Sequence, residues 1–367
     1  MQNPFKPTAG KNPPILIGRD FVIDEFSEGI ENGPGAPGRL MRIAGVRGMG
    51  KTVMLNEIGA VAKRMGWEVI DETASEGFCD RILAMATSDR KITSITAAPT
   101  IFGISLGSVE LDRMALSLRE ALHEAINKNG KGLLITLDEV QDASLSEMRA
   151  LSVAIQHEIR EDNNIAFVFA GLPSMIDSVV NGKTLTFLRR AIPVDLGPVS
   201  ITEVAVSLRE TMRLSGINIS IEASNVLAEA TKGYPFMVQL VGYHVWQTAY
   251  RAGNETIDDE AVYNGISLAR ERFELTVIEP ALQRLPSSCI AYLLAMAEDK
   301  GKSSKTSIIA ERMGKTAQQI SSYRARLIRE DVIESAGWGK VSFAIPYMDE
   351  FLNTHHQELE AEITSAE

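Results

Sequence analysis

The octapeptide GVRGMGKT, Gly45 to Thr52, places glycines, a lysine and a hydroxyl in the order that phosphate binding requires. It fits G-x-x-x-x-G-K-[ST], with Gly45, Gly50, Lys51 and Thr52 at the defining positions. Glycines let successive backbone N–H groups converge on phosphate oxygens, so the whole turn through Val46, Arg47, Gly48 and Met49 is expected to act as a cradle. A helix starting at Lys51 and running through Thr52 and Val53 adds the partial positive charge of its N-terminus. Lys51 would neutralise the β- and γ-phosphates, and the Thr52 hydroxyl would bind magnesium. The alternative is an ordinary glycine-rich turn, and the surrounding chain decides between the two.

Such a cradle needs a carboxylate at the end of a buried strand. GLLITLDEVQDA supplies it: Asp138 is expected to hold the magnesium and Glu139 to polarise the attacking water. Taken alone, the same stretch also reads as a strand ending in a charged helix cap. The next apolar run, IAFVFAGLPS, ends in Ala170, Gly171, Leu172 and Pro173, so Ser174 is the nearest hydroxyl for sensing a γ-phosphate. Arg189 and Arg190 precede a last short strand. They either reach a γ-phosphate, within the subunit or across an interface, or form a surface pair at a helix end.

The elements that must position these residues follow from periodicity. LMRIAG, WEVIDETA, LLITL, IAFVFAG and IPVDLGP read as strands, and helix-spaced segments over 51–66, 111–129 and 144–160 separate most of them. This alternation predicts a parallel sheet covered by helices. Phe21, Ile23, Phe26 and Ile30 have helix spacing, and the stretch 91–110 has no clear pattern. From Ser200, which with Glu203 has capping-box spacing, to about residue 280 the chain reads as all-helical. The expected boundaries are an α/β core with an N-terminal arm over 1–198, a helical lid over 199–280, a helix-turn-helix unit over 281–354, and a polar, frayed tail over 355–367.

The chain has 367 residues and a net charge of −11, which disfavours coating nucleic acid over the whole surface but permits a local basic patch. Its two cysteines, Cys79 and Cys289, lie far apart and suit packing rather than a disulfide framework or zinc site. No secretory signal or membrane span is legible, so the expected location is cytoplasmic.

With these motifs assembled, the chain resembles P-loop ATPases of the AAA+ and STAND superfamily, above all ORC-like bacterial ATP-binding proteins that couple an ATPase core to a winged helix. GRD at 18–20, GVRGMGKT, LDE, FAGLPS, RRA, GYP at 233–235 and IAERMG…RARLIREDVIE carry the likeness. The resemblance implies an α/β P-loop NTPase fold with an all-helical lid and a C-terminal winged helix-turn-helix. It implies ATP or ADP and magnesium as ligands, held between core and lid, and nucleotide-dependent assembly with copies of itself or with a protein partner. Ile17, Gly18 and Arg19 would lie against the adenine, and Gly233 and Pro235 correspond to the element by which the lid approaches the nucleotide. No arginine follows GYP and no Asn or Thr follows FVFA, departures that favour a slow switch over a fast motor.

In the C-terminal unit, Ile308, Ile309, Met313, Ile320, Tyr323 and Leu327 are expected to form a three-helix core. A helix begins near Thr316, and its outer face is expected to carry Gln318, Gln319, Ser322, Arg324 and Arg326, with Lys340 on a two-stranded wing. Lys302, Lys305 and Lys315 lie nearby, so the basic excess here suits double-stranded DNA. A protein-docking role for the same winged helix fits the sequence as well.

Overall fold

A computed structural model describes residues 2–8, 10–87, 108–176 and 186–366. Most of the stretch 91–110 lies outside these residues. The chain divides into two compact units, one made of Arg19–Gly45 and Gly50–Leu196, the other of Met1–Gly18, Val46–Met49 and Gly197–Glu367.

The first unit is built on a five-stranded sheet. Its strands are β1 (Leu40–Ala44), β2 (Glu68–Thr73), β3 (Leu133–Asp138), β4 (Ile165–Gly171) and β5 (Ile192–Asp195), in the order β2-β3-β4-β1-β5. Every pairing is parallel. Parallel strands covered on both faces read as unbroken apolar runs, and β3 and β4 are buried at every residue. Among the described residues, the helices of this unit include α1 (Asp20–Glu31), α2 (Lys51–Arg64), α3 (Phe78–Ala86), α4 (Ser108–Asn129) and α5 (Leu145–Arg160). The core joins Ile135, Leu137, Phe167 and Phe169 of the sheet to Leu118 and Leu122 of α4 and Leu151 and Ile155 of α5. The buried stripe of α1 is Val22, Phe26 and Ile30, while Phe21 is exposed and Ile23 half-buried. The expected stripe is therefore off by one residue at its start, because the helix begins only at Asp20.

The second unit starts with α6 (Ile201–Leu214), α7 (Ile221–Glu229), α8 (Pro235–Ala252) and α9 (Asp259–Phe273). Ser200 stands at the start of α6, but its side chain makes no capping hydrogen bond, so the expected capping box is not formed. A π-helical turn, Glu274–Ile278, and the short helix α10 (Glu279–Leu282) lead onward to α11 (Ser287–Ala297). Then come β6 (Ser304–Lys305), α12 (Thr306–Arg312), α13 (Ser321–Arg329), β7 (Ile333–Ser335), β8 (Lys340–Phe343), α14 (Met348–Thr354) and α15 (His356–Ala366). The order helix, strand, helix, helix, strand, strand, with the sheet arranged β6-β8-β7, is that of a winged helix. The wing has a third short strand that the sequence does not suggest, and the tail expected to fray is the helix α15. Ile308, expected in the core, is 37% exposed, while Ile309, Ile320 and Leu327 are buried.

The N-terminal arm, expected with the α/β core, belongs to the second unit. Phe5 is buried against the bare backbone of Gly242 on α8, the Asn3 side-chain amide donates to the Tyr243 carbonyl at 3.0 Å, and the Lys6 amide donates to Gln239 Oε1 at 3.0 Å.

Candidate functional site

The carboxyl ends of the parallel strands gather the polar residues, as ligand sites in open α/β sheets do. β1 ends at Ala44, and the chain turns through Gly45 into a loop with two left-handed glycines, Gly48 at φ 80° and Gly50 at φ 88°. Left-handed backbone is costly for residues with a Cβ, so these positions fit glycine. Gly50 is the N-cap of α2, and a Cβ placed there would meet no atom within 4 Å. Lys51 is buried and its Nζ donates to the Gly45 carbonyl at 2.9 Å, so the lysine curls over the loop it follows.

Beside it, the Thr52 hydroxyl donates to Asp138 Oδ2 at 2.5 Å. Asp138 closes β3, is 8% exposed, and also accepts the backbone N–H of Glu139 at 2.9 Å. Burial raises its carboxyl above the ordinary aspartate range, and the two hydrogen bonds and Lys51 only partly oppose this. A buried carboxylate held against a hydroxyl is a pair of hard oxygens, which suits a small cation such as magnesium. These residues fit the ion that the phosphate loop implies: Thr52 and Asp138 would hold it, and it would neutralise phosphate charge.

Glu139 has a left-handed backbone, φ 54° and ψ 45°, and caps a 3-10 turn over Val140–Asp142. Its carboxylate accepts a hydrogen bond from the Gln141 side-chain amide. The other end of that amide, Oε1, accepts the Leu172 N–H at 3.3 Å, just past the end of β4. Gln141 is not among the site residues expected from sequence. Ser174, the expected sensor, is half-buried two residues beyond Leu172, and Arg189 and Arg190 are exposed in a 3-10 turn before β5.

In the second unit, the segment Val46–Met49 packs with the helices. Met49 is buried, Arg47 is exposed, and the Arg47 carbonyl accepts a hydrogen bond from the Tyr234 hydroxyl. Tyr234 is 1% exposed, and burial raises its phenol well above the usual value. A Cβ on Gly48 would stand 2.7 Å from the Tyr234 ring. Sequence reasoning singles out Gly233 and Pro235 and passes over the tyrosine between them. The Gly233 carbonyl accepts the Val199 N–H at 2.8 Å, its backbone is at φ 70°, and Pro235 opens α8. Tyr234 meets Phe273 edge-on at 5.5 Å, and Phe273 meets Tyr347 at 6.5 Å. Lys232 and Arg270 lie over the Tyr347 ring at 3.8 and 4.3 Å, and both pair with Glu350. Among the remaining expected contacts, Gly18 takes φ 60°, and Arg19 caps α1 and is buried.

On the winged helix, Gln318 and Ser322 are exposed. Gln319 is engaged locally: its Oε1 accepts the Thr316 N–H at 2.8 Å, and its own N–H donates to Thr316 Oγ1 at 3.3 Å. Arg324 and Arg326, expected on the outer face, are half-buried along α11, with their Nε atoms enclosed and without a hydrogen-bond partner among the described residues. Burial pushes the Tyr292 hydroxyl up to about 12, against the opposing charge of Arg324, and Arg326 likewise opposes the upward shift of Cys289. Both arginines flank the half-buried Tyr323 and the buried Leu327, and long basic side chains cover apolar surface with their stems. Lys340, opening β8, lies directly across from Lys305 of β6.

Comparison with known proteins agrees with this architecture. A family described as a domain of unknown function, DUF8462, matches residues 276–352. A search of curated proteins finds no match. Among solved structures, the ORC2 protein of Aeropyrum pernix, in ADPNP and ADP complexes, is 15% identical with a TM-score of 0.67, covering 98% of each chain. A Walker-type ATPase of Pyrococcus abyssi is 16% identical with a TM-score of 0.63, covering 92% of this chain and 96% of that one. The Aeropyrum pernix ORC1 protein in complex with DNA is 16% identical with a TM-score of 0.51, covering 96% of this chain and 95% of that one. The fold is that of the ORC and Cdc6 AAA+ structures.

Proposed function

We propose that this chain binds ATP with magnesium through Gly45–Thr52 and Asp138, hydrolyses it slowly, and uses the nucleotide state to control a double-stranded DNA contact made by the winged helix. The observation that carries the nucleotide reading is the buried Lys51 and the Thr52–Asp138 pair at the start of α2, which the left-handed Gly50 caps. Lys51 would draw in the phosphates and Glu139 would take the proton of the attacking water. Slow turnover fits a β4 terminus without a polar side chain of its own. Arg189 and Arg190 are exposed before β5, and in this reading they would reach a γ-phosphate within the subunit or across an interface with a neighbouring copy.

The DNA reading rests on Lys305 and Lys340. Like charges directly across a ladder repel, and neither lysine has an acidic partner among the described residues, so a phosphate is the natural counter-charge. The ORC1 neighbour was solved with DNA. A second reading, in which the winged helix docks a protein, is favoured by the half-buried Arg324 and Arg326.

Lys51→Ala is expected to abolish ATP binding, and Glu139→Gln to bind ATP and retain it; turnover like the parent in both variants would end the site assignment. In a salt series on the full chain, Lys305→Ala and Lys340→Ala should each lower the slope of log K against log salt by about 0.9. No duplex binding at low salt would leave the protein-docking reading.

A further inference from the structure

We infer that Gln141 is the γ-phosphate-sensing and glutamate-positioning side chain of this site, taking over from the polar residue that the end of β4 lacks. The inference rests on the ATP reading above. It begins with sheet order: β4 lies between β1, which leads into the phosphate loop, and β3, which ends in Asp138. The end of β4 is thus the position from which a side chain could report on a terminal phosphate, yet residues 170–173 are Ala, Gly, Leu and Pro and offer no side-chain donor. Gln141 reaches that place from the neighbouring strand. The 3-10 turn after β3 sends its side chain across, where Oε1 accepts the Leu172 N–H at 3.3 Å.

Gly171 makes the reach possible. A Cβ at this residue would stand 2.6 Å from Val140 Cγ2 and 3.2 Å from Gln141 Oε1, so a side chain there would push the amide away. The strand end has therefore given up its own side chain and admits one from the next strand.

The amide is also oriented. With Oε1 fixed by a main-chain donor, Nε2 must point its two N–H groups the other way. One donates to the Glu139 carboxylate. The second has no partner among the described residues and is the group we assign to a phosphate oxygen. Glu139 itself stands on a left-handed backbone, and its carboxylate accepts from this same amide. Gln141 thereby links the presence of a terminal phosphate to the position of the general base.

The test is a comparison of full-length parent, Gln141→Ala, Gln141→Asn and Gln141→Glu. The affinities for ADP and for a non-hydrolysable ATP analogue would be measured by titration calorimetry with magnesium, and hydrolysis by single turnover. Gln141→Ala is expected to leave ADP affinity within twofold, to weaken the ATP analogue at least tenfold, and to slow hydrolysis at least tenfold. Gln141→Asn keeps the amide but is one methylene too short to span Leu172 and Glu139, and should resemble Ala. Gln141→Glu keeps the acceptor for Leu172 but faces Glu139 with a like charge, and should lose analogue binding most. Parallel losses for ADP and analogue, or an unchanged ratio in Gln141→Ala, would overturn the inference while leaving the ATP site intact. A parent that binds neither nucleotide would remove the ATP reading, and the sensor with it.

Discussion

Gly48→Ala isolates the packing of the phosphate-loop tip in the helical unit. The residue sits at φ 80°, and its missing Cβ is what lets the Tyr234 ring approach. An alanine there costs about 1–2 kcal/mol for left-handed backbone. It must also displace a ring that is 1% exposed and wedged on Phe273, which costs about another 1–3 kcal/mol as overpacking. The expected loss in this unit is therefore about 2–5 kcal/mol. Gly253 supplies the control: it lies in the same unit at φ 73°, and a Cβ added to it would meet no atom within 4 Å, so Gly253→Ala should lose only the backbone part. Urea unfolding followed by Trp246, which is buried in α8, reads this unit once Trp67 and Trp338 are replaced by Phe. Adding Tyr234→Leu to Gly48→Ala should recover the overpacking part as a coupling of about 0.5–3 kcal/mol. Equal losses for Gly48→Ala and Gly253→Ala, with no coupling to Tyr234, would refute the packing argument.

Three further outcomes follow from how far each group is buried. Because Asp138 has a folded-state pKa above its unfolded value, its contribution to stability is full below the ordinary aspartate range and is lost as pH rises through the folded value. Asp138→Asn, whose amide can still pair with Thr52 and the Glu139 N–H, should raise the melting temperature at pH 7 while removing magnesium-dependent nucleotide binding, and the gain should shrink toward pH 4; a melting temperature at or below the parent's at pH 7 would contradict this. On the seam toward the winged helix, Tyr347 is buried and its hydroxyl donates to the Ala230 carbonyl at 2.6 Å. Urea titrations should give a loss of about 3–5 kcal/mol for Tyr347→Ala. Glu350→Ala, which breaks two half-exposed ion pairs, should cost under about 1 kcal/mol.

What is legible from sequence is what local pattern encodes. The alternation of apolar runs with helix-spaced segments predicts the parallel sheet, and GVRGMGKT carries the expectation of phosphate binding in its own residue types. Strand order is a different kind of information. That β4 inserts between β1 and β3 has no local signature, and for that reason the role of Gln141 is invisible in the sequence: it exists only because Gly171 of another strand comes alongside. Tyr234 escapes notice because a three-residue motif defined by its first and last members makes the middle one look like a spacer. Charge alone suggests exposure for Arg324 and Arg326, whereas their stems complete the packing over α11. The arm is misassigned for a simpler reason: Phe5 finds its neighbour in Gly242, a partner that only the folded chain brings near.

The position of β1 also bears on how the chain reaches its native state. Among the described residues its partners in the sheet are β4 and β5, both made long after it, while β2 and β3 can pair without it. During synthesis, β1 and the loop it carries must wait as an unpaired apolar strand until β4 emerges, a delay that high-contact-order parallel sheets impose. The loop Gly45–Thr52, early in the sequence, is thus among the last segments of the sheet's unit to acquire its setting.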